Sequence, residues 1–304
     1  MRIGFIGNIV ADEITTIDGS LTKSWGGAFY GIAIFEKLLN ANERVIPLTP
    51  IGYDVWDKLQ ADLSKLIKID TSALYKAEER NNKVYLKYLD SNEREERAED
   101  ILPPIEIEKF DYLMDTDALL FTFISGFEIT LESLQDVRKT YKGKMLMDLH
   151  SLTLGVDNQG YRYKRIPKDW EKWVFCFDCV QMNQVEADML IEYEDSLTDY
   201  EELAKYLLLN GIEVVNITLG EKGSLVALLE GDKILLEQID PANGIEAVDP
   251  TGCGDAYFAT FGLEYIRGSH PLAAAKNANY IAGLASTLRG TKEISLTDFN
   301  SYAA

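Results

Sequence analysis

The chain has 304 residues, 46% apolar and 26% charged, a globular balance that excludes wholesale disorder. No apolar run reaches the roughly 18–20 residues that a membrane span requires. Fifty acidic against 30 basic residues give a formal charge of −20, which argues against general affinity for nucleic acid or an anionic membrane. An anionic small ligand would need a local device: a helix N-terminus, a metal ion or a few placed cations.

The length suits one α/β domain over residues 1–304. The opening, MRIGFIGNIVADEI, has a short apolar run broken by Gly4, Gly7 and Asn8. It reads as a first β-strand rather than a signal peptide, so a cytoplasmic protein is expected. Residues 10–25 are Thr-rich and punctuated by Asp18-Gly19, and residues 28–39 follow as a helix that is apolar on most faces. RVIPLTPIG after residue 43 reads as the next buried strand. Residues 81–100 begin with Val84, Leu86 and Tyr88 at period two and continue as a charge run, which predicts a half-exposed strand with a solvated, charged tip. Together with residues 10–25 it predicts a small β lid standing off the main body.

Further buried strands are expected at 118–125, 144–150, 173–180 and 213–220. Helices are expected at 132–143, after Asn183, and over 199–211, which closes on Gly211. Such alternation predicts an α/β fold with a central, mainly parallel sheet flanked by helices on both faces. Ligands then belong beyond the carboxyl ends of the strands. Cys176 and Cys179 lie three apart in the aromatic, β-branched run 173–180. With no second such pair, they read as structural residues of a buried strand rather than as a metal or redox site.

The segment EAVDPTGCGDAYFATFGLEYI (246–266) carries the chemistry. An extended approach reaches Asp249, Pro250 and Thr251; Gly252-Cys253-Gly254 follow, and a helix starts near Asp255. Two glycines around one small residue let successive N–H groups converge, and a helix N-terminus makes them an anion site. A carboxylate in that first turn can accept a proton from an attacking hydroxyl. No Walker A sequence is present, and no G-x-G-x-x-G follows a predicted strand.

DPTGCGD resembles the signature, close to D-T-x-G-A-G-D, of the ribokinase-like (PfkB-type) carbohydrate kinase family, with Cys253 where Ala is usual. Other matches follow in family order over nearly the whole chain. The resemblance implies that Asp255 is the catalytic base and that the amides of Gly252, Cys253 and Gly254 form an anion hole. It implies substrate contacts at Asp12, in GNIVAD, and at the Gly26-Gly27 hinge. Asn183 and Glu186 match an N-x-x-E element associated with magnesium and phosphates, a pattern that is also a helix capping box. Thr218, Gly220 and Gly223 match a T-L-G-x-x-G nucleotide loop, and Asn279 falls where the family contacts the base. Asp249 and Thr251 match two ligands of a monovalent cation such as potassium, with Gly290 in a plausible third place; Asp249 could equally cap its own turn.

The implied activity is ATP-dependent, magnesium-assisted phosphorylation of a sugar or nucleoside hydroxyl, with ATP and a small hydroxylated substrate as partners and a homodimer through the lid. Two departures fall on the sugar side: Gly31 stands where the family has Asn, and Asp148-Leu149-His150 stands for D-x-N. They keep open a nucleotide-binding regulator without turnover, and a kinase of a vitamin-type alcohol is a further alternative.

Overall fold

The computed structural model describes residues 1–88, 94–231, 233–297 and 299. β1 (Arg2–Ile6) opens the chain, and β2 (Ile9–Thr15) and β3 (Leu21–Gly27) form a hairpin. α1 (Ala28–Leu38) follows Gly27 directly and buries Ala28 through Phe35. Next come β4 (Arg44–Leu48), β5 (Pro50–Ile51), α2 (Trp56–Leu63), β6 (Tyr75–Lys76), β7 (Lys83–Tyr88) and β8 (Arg94–Glu99). β9 (Ala118–Thr122) leads to α3 (Leu131–Thr140), where Thr130 caps the start and Arg138 and Lys139 face the negative end of the dipole.

β10 (Lys144–Asp148) is followed by a hairpin of β11 (Leu154–Val156) and β12 (Arg162–Lys164), then by α4 (Trp170–Val174). β13 (Cys179–Asn183), α5 (Gln184–Tyr193), α6 (Tyr200–Leu209) and β14 (Val214–Thr218) continue the alternation. β15 (Ser224–Glu230), β16 (Lys233–Ile239), α7 (Cys253–Ile266), α8 (Pro271–Ser286) and α9 (Gly290–Leu296) complete it.

Eight strands form the main sheet in the order β16-β15-β14-β13-β10-β9-β1-β4. β14 through β4 run parallel, and β15 and β16 add an antiparallel edge. The parallel strands are nearly continuous apolar runs because both faces are covered. Side chains alternate: Phe5, Leu120 and Leu146 pack with α1, α7 and α8, while Leu119, Phe121, Met145 and Met147 pack with α3, α5 and α6. Each fully buried side chain of this kind contributes ~1.5–3 kcal/mol, which is why packing rather than local propensity fixes the layers.

A second sheet, β3-β2-β7-β8, leaves the main one just past β1 and returns through Gly27 into α1. Two expectations are corrected. The charge run is not simply a solvated tip: Arg94–Glu99 forms β8, an edge strand paired with β7. Alternating charges suit an edge, where they oppose pairing with another chain. Residues 89–93 of that run lie outside the described residues.

The run 173–180 is not one strand. It is the end of α4, a turn in which the Cys176 and Phe177 N–H groups donate to the Trp173 and Val174 carbonyls, and the start of β13 at Cys179. Asp178 fixes that break, its carboxylate accepting from Arg138 and from the Met145 N–H. Its aromatic and β-branched residues signalled burial, not extension. Cys176 and Cys179 are free and buried, and burial pushes their thiols up, to about 11 for Cys176.

Candidate active site

The parallel strands end on one side of the sheet, and a row of buried polar residues crosses it there. Strand register sets Thr122 beside Asp148, Asp148 beside Gln181, and Gln181 beside Asn216. All four are at most 4% exposed. A buried polar group left unbonded costs ~1–3 kcal/mol, so such a row in an apolar sheet marks a site rather than a core. Gln181 Nε2 donates to Asp148 Oδ1 (3.2 Å) and to the Gly254 carbonyl (3.1 Å), tying the strand row to the start of α7. The Tyr257 hydroxyl donates to Asn216 and Ser224 from one turn further along that helix.

Gly252 is the N-cap of α7 at φ 82°, a left-handed conformation that glycine adopts without cost. A Cβ there would overlap the Tyr30 ring, so α1 closes directly over the glycine turn. Gly254 has open space around it. Asp255 lies in the first turn, 9% exposed, with Oδ1 buried and without a hydrogen-bond partner among the described residues. Burial raises its pKa from the ordinary 3.8 to about 7. Cys253 between the glycines is a poor nucleophile, because burial pushes its thiol to about 12.

Asn183 and Glu186 form a full capping box at the start of α5. Glu186 Oε2 accepts the Asn183 N–H (2.8 Å), Oε1 accepts from Asn183 Nδ2 (2.6 Å), and the Glu186 N–H donates to Asn183 Oδ1 (3.0 Å). Burial still raises Glu186 to about 7, against the hydrogen bonds from Asn183 and the His150 N–H. Asp148 is raised well above the ordinary carboxylate range by burial and then by the neighbouring charges of Glu186 and Asp255. Asp148 and Glu186 thus share a low-dielectric corner in which their titrations influence each other, while burial alone dominates at Asp255. Among the described residues no three His, Cys, Asp or Glu side chains form a ready metal cluster.

On the other side of the corner, Asp12 on β2 is 5% exposed, and Gly26 on β3 leaves room for its carboxylate. Gly27 caps α1, and a Cβ there would lie 2.6 Å from the Asn8 carbonyl and 2.7 Å from Ile124. Because α1 begins at Gly27 and its Tyr30 covers Gly252, the Asp12 group and the glycine turn sit at adjoining helix N-termini. Gly31 packs on Phe5, whose ring would lie 2.7 Å from an added Cβ. His150 holds φ 38°, a left-handed strain at the exit of β10, with Nδ1 2.9 Å from the Ser151 hydroxyl.

Thr218 ends β14 beside Asn183, and Gly220 and Gly223 bound the turn into β15. Asn279 on α8 donates to the carbonyls of Ile239 and Asp240 (3.0 and 3.1 Å), and Gly223 abuts that same Ile239 carbonyl. Asn279 and the glycine loop therefore meet through the end of β16. Asp249 Oδ1 accepts the Thr251 N–H (2.9 Å), while the Val248 and Asp249 N–H groups donate to the Ser286 carbonyl. Gly290 opens α9 at φ 67°.

Sequence reasoning missed Gln181 and the part Asp148 plays. Their signal was legible: single polar residues near the carboxyl ends of otherwise apolar strands, in CVQMN and KMLMD.

An α/β sheet with a glycine turn and buried acid at one helix N-terminus defines a class, and the chain belongs to it: the profile of the pfkB family carbohydrate kinases matches residues 9–298. Among curated proteins, the chain is 29% identical over 123 residues to a deoxyribokinase of Salmonella typhi. That match covers 40% of this chain and 39% of the relative, so the chain spans about two fifths of the length of that protein. The fold is shared with ribokinase of Thermotoga maritima (TM-score 0.78, 18% identity, 100% of this chain and 98% of that one). It is shared as well with a nucleoside kinase of Burkholderia thailandensis in complex with inosine (TM-score 0.74, 15% identity, 99% and 98%).

Proposed function

We propose that this protein transfers the γ-phosphoryl group of ATP to a hydroxyl of a sugar or nucleoside. The observation that carries the reading is Asp255: a buried carboxylate oxygen without a partner among the described residues, beside a glycine turn at a helix N-terminus, with its pKa raised to about 7. A hydroxyl donating to the Asp255 carboxylate would be aligned for attack on a phosphorus atom lodged at the glycine turn. Its oxygen bonds to phosphorus, the bond to the β-phosphate bridging oxygen breaks, and the proton passes to Asp255. The reaction is governed by position and electrostatics, since charge is spread over the phosphoryl oxygens.

The Gly252, Cys253 and Gly254 amides would meet that charge, and the Gly220–Gly223 loop with Asn279 would border the nucleotide. Asp12, Gly26 and Gly27 would face the acceptor, and the four-stranded sheet would act as a lid that excludes water. Glu186, through water, would help to hold a magnesium ion together with the donor phosphates, and that ion would supply charge neutralisation. A potassium ion near Asp249 and Thr251 would brace the glycine turn. Exposed Ile17 and Leu21 on the β2–β3 hairpin suit pairing of two copies through the lid. Among the described residues no helix is long and apolar enough to cross a membrane, and a cytoplasmic enzyme is the reading we adopt.

The test is ADP release with a panel of pentoses, deoxyribose, hexoses, nucleosides and hydroxymethylpyrimidine, scored together with phosphorylated product. Gly31, filled by Phe5, and the strained His150 favour a second reading, a nucleotide-binding regulator without turnover. ATP binding without product from any acceptor would establish that reading instead.

A further inference from the structure

The hairpin β11–β12 has no part in the mechanism above, yet it buries a charge next to the acceptor side. It leaves the end of β10 through residues 150–153, the segment that carries His150. Its turn meets the lid edge strand β8: the Ala98 N–H donates to the Gly160 carbonyl (2.8 Å), and Arg97 Nε donates to the Gln159 carbonyl (2.9 Å).

From β12, Arg162 reaches inward with its side chain 7% exposed. Nη1 donates to the Ser125 carbonyl (2.7 Å) and Nη2 to the Ile124 carbonyl (3.3 Å). Buried Glu128 accepts the Ser125 and Gly126 N–H groups of the same loop (2.5 and 3.0 Å). Two buried charges of opposite sign thus clamp the segment that touches Gly27 through Ile124.

The third face of the guanidinium is turned toward the lid. Arg162 Nε is buried without a hydrogen bond among the described residues and lies 3.6 Å from Glu96 Oε1 on β8, an ion pair too long to be a hydrogen bond. A buried charged donor left unsatisfied is costly, so a small approach of β8 is favoured. The planar guanidinium fork spreads its donors to two carbonyls and a carboxylate in one plane, a geometry that the compact ammonium of a lysine does not reproduce.

We propose that Arg162 is a positioning residue that registers the four-stranded sheet on the acceptor floor, completing its bond to Glu96 as that sheet closes over the acceptor. The kinetic arm of the test rests on the kinase reading, while the exchange arm does not. In the full-length protein, Arg162→Met, Arg162→Lys and Glu96→Gln are compared with wild type. Glu96 is partly exposed on the edge strand β8, so its isosteric variant keeps the fold where Arg162→Met could lose it.

Amide exchange in β7 and β8, measured without substrate, is expected to quicken several-fold in all three variants relative to β1 and β9. With the acceptor identified by the panel, acceptor KM is expected to rise roughly tenfold in Arg162→Met and Glu96→Gln, as for loss of a charge-assisted hydrogen bond. ADP release without product should rise as well, nucleotide KM should stay put, and Arg162→Lys should fall between wild type and Arg162→Met. Wild-type exchange in β7 and β8 of Glu96→Gln overturns the proposal. Acceptor and nucleotide KM rising together does so too. If wild type phosphorylates nothing, the kinase reading fails, and the exchange arm still decides the role of Arg162.

Discussion

Gly26 exists for Asp12. The two residues are diagonal neighbours across the β2–β3 hairpin, where Gly26 pairs with Val10 and Asp12 with Ser24, and any Cβ at position 26 would overlap the Asp12 carboxylate. Backbone strain is not the reason, because Gly26 sits in an ordinary extended strand. The double glycine is thus divided in labour: Gly26 makes room for a buried acid, and Gly27 turns the chain into α1.

Gly26→Ala should therefore displace Asp12 without unfolding the sheet. Acceptor KM is expected to rise by ~10-fold or more, with nucleotide KM unchanged, as a lost buried contact of about 1.5–3 kcal/mol implies. Equal acceptor KM in the variant would leave Asp12 a purely structural residue of β2.

Asp255→Asn should bind nucleotide and lose ~10²- to 10⁴-fold in turnover, the range for removal of a general base. Wild-type turnover should rise with pH through about 7, as the acid ionises. Stability should move oppositely. The folded pKa lies above the ordinary 3.8, so ionisation disfavours the fold, and the loss develops as pH climbs from about 4 to about 7. Asp255→Asn should melt a few degrees above wild type at pH 8, with the gap closing towards pH 4. A gap that is the same at both pH values would contradict the buried, unbonded carboxylate.

Glu186→Gln separates two roles of one side chain. If Glu186 serves magnesium through water, the metal concentration for half-maximal rate should rise several-fold. A helix cap alone would give a magnesium titration identical to wild type and a stability loss of ~1 kcal/mol in thermal melts.

Asn279→Ala removes the bonds to the Ile239 and Asp240 carbonyls, which lie 3.0 and 3.1 Å from its amide. Nucleotide KM should rise ~5- to 10-fold, and stability should fall by ~1 kcal/mol, because two part-buried hydrogen bonds are lost. A shift in acceptor KM instead would place this end of the sheet on the wrong ligand.

Replacing sodium by potassium should raise turnover several-fold if an ion braces the turn that Asp249 and Thr251 begin. Asp249 Oδ1 already accepts the Thr251 N–H, the arrangement of a self-capped turn. Equal rates in sodium, potassium and a large organic cation would leave Asp249 with that task alone.

Much of this protein was written locally in its sequence. The apolar runs RIGFI, ALLFT, KMLMD and VVNIT became parallel strands because each is short, apolar and bounded by turn residues. GCGD became a helix N-terminus with a buried acid because glycine and carboxylate preferences there are set by a few neighbouring atoms. Asn-x-x-Glu likewise became a capping box within one turn.

What the sequence could not decide depends on partners far along the chain. The aromatic run 173–180 carried burial but not conformation: it folds as helix, turn and strand because Asp178 is held by Arg138, 40 residues away. The charged run became β8 because β7 and the turn of the β11–β12 hairpin offered it backbone partners. Gln181 joined the site only when strand register set it between Asp148 and Asn216, below the start of α7. Local backbone chemistry fixed the strands and the phosphate-side turn. Register, and the burial that raises the pKa values of Asp148, Glu186 and Asp255, arise only when distant segments pack, and they decided which polar residues share one site.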